Sequence, residues 1–191
     1  SEMCIRDRAG ALGQLIDHPC LPPPGKATVH YNISNAYFQG EELDRLLLLK
    51  PPKGGVPDPE FADGETYILA RVPIYGTQDA AANWEEEYSG RLVGLGFRRG
   101  TGSACIFTHP DRPIQMIVHG DDFFSEGPRK HLDWLEGELG KAYDYKTERI
   151  GWTEDRQKEM RVLGRILKLD ERGASIEADP ALIDEAIAGL N

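Results

Sequence analysis

Apolar and polar positions alternate from Ala27 to Ile33, with Val29, Tyr31 and Ile33 on one side of the chain. A period of two predicts a half-buried strand there. A different rhythm governs Asp79 to Leu95, where Trp84, Tyr88, Leu92 and Leu95 recur at four, four and three. That spacing predicts an amphipathic helix whose stripe packs into a core. Thr77 or Asp79 can cap its start and Gly96 can end it. Pro128 opens a second predicted helix, ending near Gly140, with Leu132, Leu135 and Leu139 turned inward. Further strands are predicted over Thr66–Val72, Ala104–Thr108, Ile114–Val118, Tyr143–Ile150 and Arg161–Leu169. The turn His109-Pro110-Asp111-Arg112-Pro113 joins two of them. Asp179-Pro180 caps and starts a terminal helix, which the end of the chain is expected to cut short. Strands and helices mix without strict alternation, so the expected class is α+β, a sheet covered by helices.

Within this pattern one polar interruption carries chemistry. His119-Gly120-Asp121-Asp122 separates the apolar run Ile114 to Val118 from Phe123-Phe124. The pattern predicts a hairpin with Gly-Asp as its tight turn. Two adjacent carboxylates at a hairpin tip offer hard oxygen ligands to a divalent cation such as Mg²⁺. The competing reading is a plain turn, since turns favour Gly and Asp.

Composition narrows the function classes. The chain has 191 residues, enough for one domain, and 40% hydrophobic content is enough for a core. Its longest apolar run, Leu46 to Leu49, is far too short to span a bilayer, and no membrane partner is expected. The first residues form no apolar signal region, so secretion is not expected. Cys4, Cys20 and Cys105 have no zinc-site spacing and suggest no disulfide framework, which fits a reducing compartment. The net charge is −10, from 22 basic and 32 acidic residues. That deficit argues against broad contact with nucleic-acid phosphate, with local exceptions at Arg98-Arg99 and at Arg161, Arg165 and Lys168. The five histidines show no paired metal spacing and read as surface or strand residues. Ser103 and Cys105 have no visible base partner. Gly54-Gly55 sits in a Pro/Gly-rich loop (Pro51 to Gly64) with no helix after it, so no phosphate-binding loop is present. Glu85-Glu86-Glu87 reads as a solvated helix face.

Four blocks, in this order, resemble the reverse transcriptase of copia-type retrotransposons. Asn32-Ile33-Ser34-Asn35-Ala36-Tyr37-Phe38-Gln39-Gly40, followed by Pro51-Pro52, is similar to the family's first palm motif, Asp-Val-x-x-Ala-Phe-Leu-x-Gly. Tyr75-Gly76-Thr77-Gln78-Asp79-Ala80-Ala81-Ala82-Asn83-Trp84 resembles Tyr-Gly-Leu-Lys-Gln-Ala-Pro-Arg-x-Trp, and Leu95-Gly96-Phe97 and Cys105-Ile106-Phe107 follow as they do there. Val118 to Asp122 resembles the Tyr-Val-Asp-Asp motif. Tyr143 to Gly151 and Val162-Leu163-Gly164-Arg165 look like a later palm motif and a Phe-Leu-Gly strand. The resemblance covers Val29 to Leu169. It implies a reverse-transcriptase palm over residues 26–170, an antiparallel sheet with helices on one face. Residues 1–25 are then expected to be an appended scar with the Pro-rich linker Leu21 to Gly25, or a remnant of the fingers. Residues 171–191 are expected to be a truncated strand and helix. The family has a longer fingers region before this motif, and thumb and ribonuclease H regions beyond, so a palm-centred fragment is expected.

The resemblance also implies chemistry. The family makes DNA on a primed RNA or DNA template from deoxynucleotide triphosphates, in a cytoplasmic virus-like particle or the nucleus. Two Mg²⁺ (or Mn²⁺) ions clamp an in-line displacement. By resemblance Asp121 is a metal ligand and Asp122 its neighbouring carboxylate. Ile33 offers a backbone carbonyl. Tyr37 matches the aromatic beneath the sugar, although a buried strand-end aromatic is an equal reading. Departures from the family pattern matter as much. Its first catalytic Asp is Asn32 here, whose amide oxygen carries no charge. Gln78 stands in place of Lys or Arg, Asp79 in place of Gln and Ala82 in place of Arg. Polymerisation is therefore expected to be impaired. Two other classes stay open: a non-catalytic palm-derived structural or interaction module, and an unrelated acidic α+β domain whose Gly-Asp-Asp is only a turn.

Overall fold

The computed structural model describes residues 26–40, 42–43, 45–51, 67–77, 79–151, 157–170 and 173–189. The expected scar and linker before Lys26, most of the Pro/Gly-rich loop and Gln78 lie outside them. The chain divides into two compact units. One is formed by residues up to Ser34 and from Leu92 onward, the other by Asn35–Arg91.

The first unit is built on a six-stranded antiparallel sheet. Its strands are β1 (Lys26–Ile33), β4 (Arg98–Arg99), β5 (Ile106–Thr108), β6 (Gln115–His119), β7 (Asp122–Pro128) and β8 (Tyr145–Gly151). They lie in the order β4-β5-β6-β7-β1-β8, so β1 is hydrogen-bonded on both sides, to β7 and to β8. Alternation along β1 sorts its side chains as period two requires. Val29, Tyr31 and Ile33 are buried on one face. Helix α2 (Arg129–Leu139) packs against β1 and β7, and Leu132, Leu135 and Leu139 are all buried. Strand β8 is tied to that helix by polar contacts. The Tyr145 hydroxyl donates to the Glu136 carbonyl at 2.7 Å, and Arg149 pairs with Asp133 at 2.8 Å and with Glu136.

The opposite face of the sheet is covered by a second sheet rather than a helix. Strands β9 (Glu159–Val162), β10 (Arg165–Asp170) and β11 (Gly173–Ala178) form it in the order β11-β10-β9. Met160, Val162, Leu167 and Leu169 pack there with Phe124 and Ile150. The sequence predicts one strand over Arg161 to Leu169; the structure divides that stretch between β9 and β10. Leu163 (φ 49°) and Gly164 (φ 72°) make a two-residue turn with both residues left-handed, the geometry that closes a hairpin. Helix α3 (Pro180–Ala188) starts where Asp179-Pro180 predicts it, and the Asp179 carboxylate accepts the Ala181 backbone N–H at 3.0 Å.

The second unit holds a short 3-10 helix (Ala36–Gln39) and a two-stranded antiparallel sheet of β2 (Leu47–Leu49) and β3 (Ile68–Ala70). Helix α1 (Ala80–Gly94) begins in it, with Trp84 and Tyr88 buried as the stripe predicts. Beyond Arg91 its end is also as expected. Gly96 adopts φ 95° and the Phe97 N–H reaches back to the Leu92 carbonyl at 3.0 Å. Strands β2 and β4 lie where the sequence predicts none, while β11 falls in the strand expected within residues 171–191. No helix among the described residues is long and apolar enough to cross a membrane.

Three buried hydroxyls among the described residues, those of Tyr31, Ser89 and Ser125, have no hydrogen-bond partner, and that of Tyr31 is the one on the largest side chain. Burial pushes the Tyr31 pKa up. An orphaned buried hydroxyl carries its full desolvation cost. Tyr31→Phe is therefore expected to raise stability by about 1 kcal/mol, seen as a higher urea midpoint at unchanged slope. A lower midpoint would mean that the hydroxyl has a partner.

Candidate active site: a hairpin tip facing strand β1

The β6–β7 hairpin turns on Gly120 and Asp121, with His119 paired to Asp122. Gly120 takes φ 61°, which explains a glycine at the first central position of a two-residue turn. The turn is fastened to the neighbouring strand, because the Ile33 N–H donates to the Asp121 carbonyl at 2.8 Å. Register then does the rest: Asn32 of β1 lies directly opposite Asp122 of β7. Residues facing each other in antiparallel strands project to the same side of the sheet.

The three side chains that the sequence reading grouped therefore meet. The Asn32 amide nitrogen donates to Asp122 Oδ1 at 3.0 Å and approaches Asp121 Oδ2 at 3.4 Å. It lies between the two carboxylates, in contact with an oxygen of each. A fourth group was not anticipated. His30 Nε2 is 2.7 Å from the same Asp122 Oδ1, and its ring stacks on Phe124 with centroids 4.5 Å apart. Period two places His30 on the Asn32 side of β1, but only the register brings it to a residue 92 positions away. Burial pushes the Asp122 carboxyl up. The hydrogen bonds from His30 and Asn32, with the charges of His30 and His119, more than offset this and hold it below the usual carboxylate range.

Of the remaining site residues, Ile33 stays beside the turn through its N–H bond to the Asp121 carbonyl and is buried at the end of β1. Tyr37 belongs to the second unit, on the 3-10 helix that follows Asn35 (φ 53°), and not at a strand end. Its ring meets Tyr75 edge-on at 4.5 Å. Tyr75 is presented by a turn in which Gly76 takes φ 91° and Thr77 donates to the Ile74 carbonyl from both its backbone N–H and its hydroxyl. Asp79, the acidic departure in the second block, is held by Arg45 at 2.8 and 3.0 Å; that hydrogen bond lowers its pKa to about 2.

The donor set at the hairpin does not fit a pair of Mg²⁺ ions. It has two carboxylates, and Asp122 Oδ1 already accepts hydrogen bonds from two protein groups. An amide nitrogen, which cannot ligate while it donates, occupies the space between them. No group of three His, Cys, Asp or Glu arranged to hold a metal occurs among the described residues. What this arrangement does chemically is hold a carboxylate pair together with N–H donors.

No protein-family model matches the chain. It is similar to polyproteins of Saccharomyces cerevisiae, among them the Transposon Ty1-DR4, TyH3 and Ty1-GR3 Gag-Pol polyproteins. Each is 25% identical over 125 residues, or 65% of this chain. The match spans only 7% of each polyprotein's length. Similarity of this extent supports a retrotransposon origin for the chain.

Proposed function

We propose that the chain is the palm-centred part of a copia-type reverse transcriptase in which the scaffold persists and the catalytic centre is disarmed. The observation that carries this reading is the placement of Asn32 across β1 and β7 from Asp122, with its amide against both hairpin carboxylates. The asparagine and the carboxylate it meets are 90 positions apart in sequence, and a fortuitous Gly-Asp-Asp turn has no reason to sit beside this particular asparagine. The similarity to Gag-Pol polyproteins supports the same origin. In the intact element the partners on this reading are a primed RNA or DNA template and deoxynucleotide triphosphates, with Mg²⁺ or Mn²⁺ as cofactor. In this chain the uncharged amide and the acidic balance disfavour binding both the ions and the phosphates.

Mn²⁺ binding in the presence of a deoxynucleotide triphosphate tests the reading more directly than primer extension. It should be measured by electron paramagnetic resonance on the chain, on Asn32→Asp and on Asp121→Asn. Asn32→Asp is expected to tighten Mn²⁺ by about tenfold or more, and Asp121→Asn to abolish what binding there is. If neither substitution alters binding, the carboxylates are turn residues and the reading falls.

A further inference from the structure

His30 is the second group bonded to the Asp122 carboxylate. Its Nε2 lies 2.7 Å from Asp122 Oδ1, closer than the Asn32 amide at 3.0 Å. Its side chain is 15% exposed, and its ring is stacked on Phe124 with 12° between the two planes. Phe124 is itself 3% exposed and packs into the cluster beneath the second sheet. The imidazole is thus fixed by stacking, and the hydrogen bond it makes to Asp122 does not depend on Asn32.

We infer that His30 is a second lock on the site: a fixed N–H donor that competes with a divalent cation for the Asp122 carboxylate, so that restoring a carboxylate at position 32 alone does not restore full metal affinity. The inference rests on the palm reading of the site. A cation seated between Asp121 and Asp122 needs an Asp122 oxygen turned toward Asp121. The oxygen on that side is Oδ1, because the Asn32 nitrogen touches both it and Asp121 Oδ2. Oδ1 is also the oxygen His30 holds. Metal binding must therefore give up or weaken a hydrogen bond to a charged group. The loss of such a bond corresponds to about tenfold or more in a dissociation constant.

The test compares Mn²⁺ affinity, by titration calorimetry and electron paramagnetic resonance, in Asn32→Asp and in Asn32→Asp combined with His30→Phe. Phenylalanine keeps the stacked ring and removes both ring nitrogens. His30→Val, a residue at home in a strand, gives a second double variant should the first fail to fold. Each double variant is expected to bind Mn²⁺ about tenfold more tightly than Asn32→Asp alone. Equal affinity in single and double variants overturns the role of His30 and leaves the palm reading in place. Absence of Mn²⁺ binding in all of them overturns both.

Discussion

Phe123→Ala is expected to lower the stability of the folded chain by about 3–5 kcal/mol, as for other large aromatic truncations in a packed core. Phe123 follows Asp122 on β7 and is fully buried. Its neighbours across the sheet are Tyr31 on β1 and Val118 on β6, both at most 1% exposed. Packing at this density cannot close a benzyl-sized hole, so the transfer and cavity costs add. Domains of this kind are stable by only about 5–15 kcal/mol, so the loss is a large fraction of the total. It also has a local consequence. Phe123 anchors the strand on which Asp122 sits, so the Asp122 contacts with Asn32 and His30 should loosen. A urea titration followed by near-ultraviolet circular dichroism measures the first effect, and the His30 imidazole resonances report the second. A loss below about 1 kcal/mol would be inconsistent with a fully buried ring.

The sequence made parts of this architecture legible because their periods are strong. Val29, Tyr31 and Ile33 alternate cleanly, and the residues between them, His30 and Asn32, had to share the other face. The hairpin was readable from one glycine and two carboxylates between apolar runs. Helices α1 and α2 were readable from stripes of large side chains with glycine or proline at their ends. The failures have equally local causes. Leu163-Gly164 closes a hairpin with a leucine in a left-handed conformation, where the turn rules call for Asn, Asp or Gly, so Arg161 to Leu169 looked continuous. Strands β2 and β4 have three and two residues, too few for any period to show. His30 reads as a surface or strand residue in the sequence, because a partner 92 positions away is a matter of register. A single sequence specifies register only through the hydrophobic pattern and the turn. Asn32, by contrast, was found through its motif, and the pairing of β1 with β7 accounts for its place beside Asp122.

In metal-free buffer, Asn32→Asp is expected to destabilise the chain by about 2–3 kcal/mol. The amide now donates to Asp122 at 3.0 Å and lies 3.4 Å from an Asp121 oxygen. A carboxylate in its place removes the donor and brings a third negative charge against two others in a partly buried setting. At these separations three carboxylates do not all stay ionised without a counter-ion, so one proton is retained at a pH above the ordinary carboxylate range. A carboxyl whose folded pKa is raised costs stability at high pH. The penalty is full at neutral pH and disappears below about pH 4, where folded and unfolded chains are both protonated. For a chain of this length 2–3 kcal/mol corresponds to a fall of about 5–10 °C in Tm. Mn²⁺ binds the folded form and should recover that loss in Asn32→Asp at concentrations about tenfold below those that act on the unsubstituted chain. The same pair of carboxylates can be held together by an amide that is always present or by a cation that must be supplied, and the asparagine exchanges the second for the first. Thermal melts of both chains at pH 7 and pH 4, with and without Mn²⁺, separate these cases. If Asn32→Asp melts with the unsubstituted chain at pH 7 without metal, the amide does not hold the two carboxylates together.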